Sequence, residues 1–435
     1  MTKKKTILTI GVTAAVAVLL VAAILLGALG PARPDQTPGA QIRPTAYSGK
    51  SFSNDGNVDG GHRSVDQVKA EYPGADVVTV SNENSLLAEI GDSTSQTPAN
   101  PQKVILLMSD VTLPQVTLRT THLQQNVVFD GNGYTINLSS TAGRFEGVEA
   151  PENDYFTYWG GWLRPMYGGV FVGFNEGTIC NTRFVFTSDH NYNGQDWNGS
   201  GSNYQRGSVY SPHTAISAAT FGIVTGINSG TIDNCYLDMK NTFYAVKEGC
   251  FTFANHGRLD YNTVFAGGFA GAMYPDSVVS NSTFYQADAT VLAGVAQGNR
   301  HNVTADRAGM AVVGGIAGNV TGSGEKGCKL FNCSVLSGDG CHIYALAGEA
   351  SKDENRSGSA GSVIGGSVGA DDLLRAQIMS VKSDTIVGMI VGWHGQVHFN
   401  WRTTVPDGTL VENLPMGRVT NGESLDTTPE QQIRN

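Results

Sequence analysis

A glycine-framed phrase recurs down the second half of this 435-residue chain and restricts its fold more than any other feature. It reads Gly173-Phe-Asn-Glu-Gly-Thr-Ile-Cys-Asn181 and again Gly226-Ile-Asn-Ser-Gly-Thr-Ile-Asp-Asn234. Looser copies contain Gly267-Gly-Phe-Ala-Gly271 with Val278-Val-Ser-Asn281, and Gly314-Gly-Ile-Ala-Gly318 with Leu330-Phe-Asn332. The matched glycines Gly173, Gly226, Gly271 and Gly318 are 53, 45 and 47 residues apart. Self-similarity at such a period marks an array in which each unit buries its apolar side against the next.

Within a unit, apolar and small residues alternate over short runs and Gly, Asn, Ser and Thr are frequent, which favours strands and tight turns over helices. Stacked units of that kind must pair every backbone N–H and C=O with the coil above or below, so a parallel β-solenoid is expected. Asn181, Asn234, Asn281 and Asn332 close the phrases. Asn tolerates the left-handed backbone of a sharp bend, and its amide can bond the amides above and below, so these four form an expected structural ladder. The next residue is always small (Thr182, Cys235, Ser282, Cys333), which suggests an inward-pointing slot.

The phrase resembles the GLUG repeats of bacterial surface proteins, over roughly residues 168–400. That resemblance implies an adhesin-like or otherwise non-catalytic surface role. Upstream, Val77-Val-Thr-Val80, Lys103-to-Leu113 and Asn126-to-Leu138 resemble the opening of a right-handed β-helix of the pectin-lyase-like kind. The fold expected is therefore all-β: a single-stranded right-handed parallel β-helix with an N-terminal transmembrane helix and a short capping helix. Asn82-to-Ile90 supplies that cap, with Leu86, Leu87 and Ile90 on one face. At about 23 residues per coil and ~4.8 Å between coils, roughly 13 coils and a rod of about 60 Å are expected.

Lys3-Lys-Lys5 precedes an uncharged apolar stretch from Ile7 to Gly30, which is long enough to span a bilayer. Residues 1–30 are read as a retained signal anchor that leaves everything after them outside the cell, as in a single-pass bacterial cell-surface protein. The remaining assignment is a Pro/Gly-rich extracellular tether at 31–64, an N-terminal cap with the first strands at 65–125, the repeat-bearing β-helix at 126–410, and a cap with tail at 411–435. A net charge of −10 with 28 Lys plus Arg and no basic cluster beyond the first residues argues against a nucleic-acid partner. The partners expected are the membrane, through the N-terminal helix, and an extracellular glycan or surface protein. Six cysteines lack zinc-site spacing, and Cys235 and Cys333 fall in the small inward slot; no metal or cofactor is expected. Asp130-Gly-Asn-Gly133 reads as a turn between strands rather than a calcium loop.

Two aromatic-rich insertions flank the first phrase. One carries Tyr158, Trp159 and Trp162; the other, from His190 to His213, carries Tyr192, Trp197 and Tyr204. Aromatic faces among amide and carboxylate groups suit a glycan, which offers C–H faces to stack on and hydroxyls to bond. The alternative is a polysaccharide lyase or glycoside hydrolase acting on acidic polysaccharides. Its residues are Asp371, Asp372 and His394, which resemble the Asp-Asp and His-Gly elements of polygalacturonase-like enzymes but lack that family's Asn-Thr-Asp and Arg-x-Lys elements.

Overall fold

The computed structural model describes residues 62–90, 98–145, 147–149, 157–158, 161–162, 165–190, 209–211, 218–248, 263–297, 310–320, 328–347, 357–361, 364–367, 377–379, 382–383 and 387–390. They form an all-β parallel solenoid with five sheets running along it as walls. The chain visits the walls in a fixed order, so one coil is Thr178–Cys180 (wall 1), Arg183–Ser188 (wall 2), Val209–Ser211 (wall 3), Ala219–Gly222 (wall 4) and Thr225–Asn228 (wall 5). Thr231 then pairs in register with Thr178, followed by Val278, Lys329 and Gln377. The expected anchor at 1–30 lies outside the described residues, and no helix among those described is long and apolar enough to cross a membrane.

One repeat makes one coil, not two as a period of about 23 residues would require. Amide bonds up the stack span 53 residues from Asn234 to Asn181 and 51 from Asn332 to Asn281. Only the first coils are narrow: Asn137 reaches Thr112 across 25 residues, and Asn126 reaches Ala99 across 27. Wall 1 accordingly holds eight strands, from Asp76–Val80 to Gln377–Met379, and seven inter-strand steps span about 34 Å, roughly half the expected rod. Walls 3 and 4, which the second coil does not have, account for the longer circuit.

One continuous core fills the stack, running from Leu86 and Ile105 through Phe129, Phe171 and Phe184 to Ile343. The Phe171 ring lies 5.1 Å from both Phe129 and Phe184, so aromatic side chains from different walls and coils interlock. Its N-terminal end is covered twice. Helix α1 (Val65–Glu71) lies outside wall 1, placing Val68 and the following Tyr72 on Val104, Leu106, Val128 and Cys180. Helix α2 (Glu83–Ile90) turns Leu86 and Ile90 into the open end of the core. Asn82 Oδ1 accepts the Ser85 N–H at 3.0 Å and fixes the start of α2. Helix α1 was not anticipated, although Ser64 and Gln67 spell a capping box whose two reciprocal bonds are both formed.

The second coil passes from wall 2 (Val111–Thr112) straight to wall 5 (His122–Leu123), and its connecting strap 113–121 closes the extra lobe of the wider coils. Arg119 exchanges backbone bonds with Gly169, and its guanidinium donates to the carbonyls of Val170 and Pro114.

Candidate functional site

Two corners of the coil are nearly constant in length; the others vary, the wall 5–1 connection growing from two residues after Asn175 to nine after Ser367. Between walls 1 and 2 the connection is two residues in the five coils that begin at Thr178, as at Cys180 to Arg183 and Phe331 to Ser334, and four residues, 131–134, in the first wide coil. Between walls 4 and 5 it is again two residues throughout, as at Gly169 to Val172 and Gly361 to Ile364. Between walls 3 and 4, by contrast, seven residues separate Ser211 from Ala219, fourteen separate Glu248 from Thr263, twelve separate Gln297 from Met310 and nine separate Ala347 from Ser357.

Chemistry at the short corners explains their constancy. Asn181, Asn234, Asn281 and Asn332 sit at the wall 1–2 corner with φ of 51°, 49°, 49° and 51°. Asn234 Nδ2 donates to Asn181 Oδ1 at 2.8 Å, and Asn332 Nδ2 to Asn281 Oδ1 at 2.7 Å. The file is interrupted at one step, because Asn281 Nδ2 donates to Asp233 Oδ1. Thr182, Cys235, Ser282 and Cys333 are buried just inside. The hydroxyls of Thr182 and Ser282 return to the carbonyl two residues back at 2.6 Å. A second amide pair was missed although it lies in the same phrase: Asn175 Nδ2 donates to Asn228 Oδ1 at 2.8 Å, with both residues fully buried. Met273 and Val320 take over that column in the later coils, where the phrase loses its Asn.

At the wall 4–5 corner the glycines are required by backbone contact. A Cβ on Gly222 or Gly267 would lie 1.9 Å from the carbonyl oxygen three residues on. A Cβ on Gly226, Gly271 or Gly318 would lie 2.5–2.7 Å from backbone atoms of wall 4 in the coil below.

The ladder ends at the N-terminal clasp. Asp130 is fully buried and its Oδ1 accepts from Asn181 Nδ2 at 3.1 Å and from Asn132 N at 2.8 Å. Arg63 bridges Asp130 and Glu71, while the Asn132 side chain bonds both the N–H and the carbonyl of Arg63. Burial disfavours the Arg63 charge, but Asp130 and Glu71 outweigh it and hold the guanidinium protonated more firmly than in water. His62 stacks on Tyr134 at 3.6 Å between ring centroids. Residues 62–64 of the stretch assigned to the tether are thus docked, and the Asp130–Gly133 turn is their seat.

The binding candidates are distributed as follows. Tyr158 and Trp162 lie in a two-stranded hairpin in which Tyr158 opposes Gly161 and Trp162 opposes Thr157. That hairpin interrupts the run from Glu149 to Met166, both on wall 4, and so leaves the solenoid at the variable wall 3–4 edge. Tyr192 and Tyr204 with Trp197 lie in the connection between Ser188 and Val209, at the opposite end of wall 3 and one coil further on. Trp159, Tyr192, Trp197 and Tyr204, and the catalytic alternatives Asp371, Asp372 and His394, lie outside the described residues.

Among the described residues, two constellations come nearest to reaction chemistry, and neither is poised for it. Ser140 Oγ is 3.2 Å from His190 Nε2, but His190 Nδ1 accepts the Tyr244 N–H at 3.1 Å. The neutral ring therefore carries its proton on Nε2 and donates to Ser140, which cannot be deprotonated by it. His122 Nε2 pairs with Glu176 at 2.7 Å beside Phe174 and Tyr167. Burial, and then the Glu176 charge, push the Tyr167 phenol up, which opposes its use as a base. A cavity of ≈ 360 Å³ between α2 and the strap is lined by Leu87, Pro114, Val116, Leu118, Arg119, Thr120 and Thr121 and contains no acid–base pair. No group of three metal-ligating side chains occurs among the described residues. The thiols of Cys180, Cys235, Cys328, Cys333 and Cys341 are free and buried, and burial pushes those of Cys180 and Cys235 up, away from the reactive thiolate.

No protein-family model, curated protein or solved structure matches the chain.

Proposed function

We propose that this protein is a membrane-anchored extracellular surface protein, adhesin-like, whose solenoid displays a glycan-binding edge. The observation that carries the reading is the contrast between corners: the wall 4–5 corner is two residues in every described case and the wall 1–2 corner is two in all but the first wide coil, while connections of seven to fourteen residues, the Tyr158–Trp162 hairpin and the twenty residues between Ser188 and Val209 leave at the two ends of wall 3. Variable connections on a rigid scaffold are where binding functions reside. The resemblance to GLUG repeats agrees with that role, and the apolar segment 7–30 after Lys3-Lys-Lys5 suits a signal anchor that leaves the solenoid outside a bacterial cell. Right-handed winding is favoured because parallel strand crossovers of one sheet are right-handed in nearly all proteins.

The test is a glycan array probed with the chain from Ala46 onward, which retains the His62–Arg63 clasp. Binding should fall at least about tenfold when Trp159, Trp162 and Trp197 are replaced by Ala, as loss of stacked aromatics requires. Equal binding by the triple variant removes the proposed site. Release of reducing sugar or unsaturated uronate from acidic polysaccharides, lost in Asp372→Asn, would replace the reading with the enzymatic one.

A further inference from the structure

At its start, wall 3 is fastened to the coil below by side chains. Phe243–Glu248 pairs along its whole length with the coil above, from Phe243 with Leu292 to Glu248 with Gln297. Toward the coil below, the described pairing runs from Ala245 with Val209 to Lys247 with Ser211. Ahead of Ala245, the contacts from the lower coil among the described residues come from Ser188, Asp189 and His190, where the chain leaves wall 2. Ser188 Oγ donates to the Thr242 carbonyl, and His190 Nδ1 accepts the Tyr244 N–H that a strand carbonyl would otherwise take. Facing the coil below, Asp189 accepts from Ala142 N at 2.7 Å and Thr141 Oγ1 at 2.9 Å, and Ser140 Oγ meets His190 Nε2. The imidazole stacks on Phe243 at 5.7 Å and is buried.

We propose that Ser188–His190 is an acid-released clasp: the neutral His190 ring completes wall 3, and its protonation breaks the bond to Tyr244 and unfastens the wall at that point. A protonated Nδ1 is a donor facing another donor, so the bond cannot survive the gain of a proton. Burial lowers the His190 pKa to about 4, against weaker opposing effects of the Thr141 backbone and the Asp189 carboxylate. Asp189 is the charged group acting on the ring among the described residues; Ser140, Thr141, Phe243 and Tyr244 present no charge at that pH. The clasp is therefore closed at neutral pH and opens only in acid. Backbone strand pairs contain no group that titrates there, so the response is confined to this splice.

Hydrogen exchange of the full-length chain tests the proposal, read by mass spectrometry and corrected for the intrinsic pH dependence of exchange. Between pH 6 and pH 3, the peptide covering 242–248 should lose about tenfold of its protection, as one protonation with a midpoint near 4 requires. The peptides covering 283–286 and 291–297 should lose less protection than 242–248. His190→Asn, whose Oδ1 accepts where Nδ1 did but does not titrate, should remove the acid response. An equal loss of protection in all three peptides, unchanged protection of 242–248 at pH 3, or the same acid response in His190→Asn would each overturn it.

Discussion

The narrow second coil at the N-terminal end and the wide coils above it share walls 1, 2 and 5 but are closed by different means. The narrow coil returns after 25 residues, passes from wall 2 to wall 5 by the strap 113–121, and is finished by the apolar side of α2. The wide coils return after 47 to 53 residues because walls 3 and 4 have been inserted. Those walls require wall 5 to lie directly on wall 4, where Gly226 and Gly271 approach the backbone of the coil beneath. The glycine phrase is therefore the mark of that contact, which is why it begins only near residue 168. Side-chain packing terminates the stack, whereas backbone-to-backbone contact and amide files propagate it.

Five experiments test this contrast, in order of decreasing effect. Gly271→Val places a branched side chain where a Cβ already lies 2.6 Å from Phe221 N. It should cost about 5 kcal/mol or abolish folding, as judged by denaturant melts, and a tolerated substitution would break the proposed origin of the phrase. Arg63→Met leaves the buried Asp130 without its partner and should cost about 3 kcal/mol. Proteolysis should then release α1 before the wide coils open; simultaneous loss of both would mean that the clasp supports the whole stack.

Stability should also fall in acid. The unfolded His190 takes up a proton near pH 6.5 and the folded one only near 4, so the unfolded state binds more protons in between. Stability is complete above about 6.5 and declines to pH 4 by an amount on the order of 3 kcal/mol, absent in His190→Asn. Asn234→Ala loses its bond to Asn181 and holds an alanine at φ of 49°. A loss of about 2 kcal/mol is expected, with part recovered in Asn234→Gly, which accepts that φ. An equal loss in both would assign the residue's value to its amide alone. Last, maleimide should leave Cys180, Cys235, Cys328, Cys333 and Cys341 unlabelled in the native protein, since all five are buried in the stack. Rapid native labelling of any would show that the coils open there.

What could be read from the sequence was whatever one coil states by itself. The corner Asn residues, the small residues after them and the framing glycines answer to local backbone conformation and to the atoms of the adjacent coil, so repetition of the phrase exposed them. The α2 cap was legible because Leu86, Leu87 and Ile90 share a face. Ser64 and Gln67 carry an equally local signal for α1, the capping box at its start. The binding candidates were legible only as composition: their aromatic content was plain, but whether Tyr158 and Tyr192 leave the same side of wall 3 depends on the register of strands far apart in the chain.

The sequence by itself determined that the chain stacks and where it turns, because turning is decided by the φ that Asn or Gly permits at single positions. Only the tertiary structure decided how far the chain travels before it stacks, since coil circumference follows from how many walls the shared core needs. It also decided which distant groups meet. Arg63 with Asp130 and His190 with Tyr244 are joined across 67 and 54 residues by a register that no local pattern encodes.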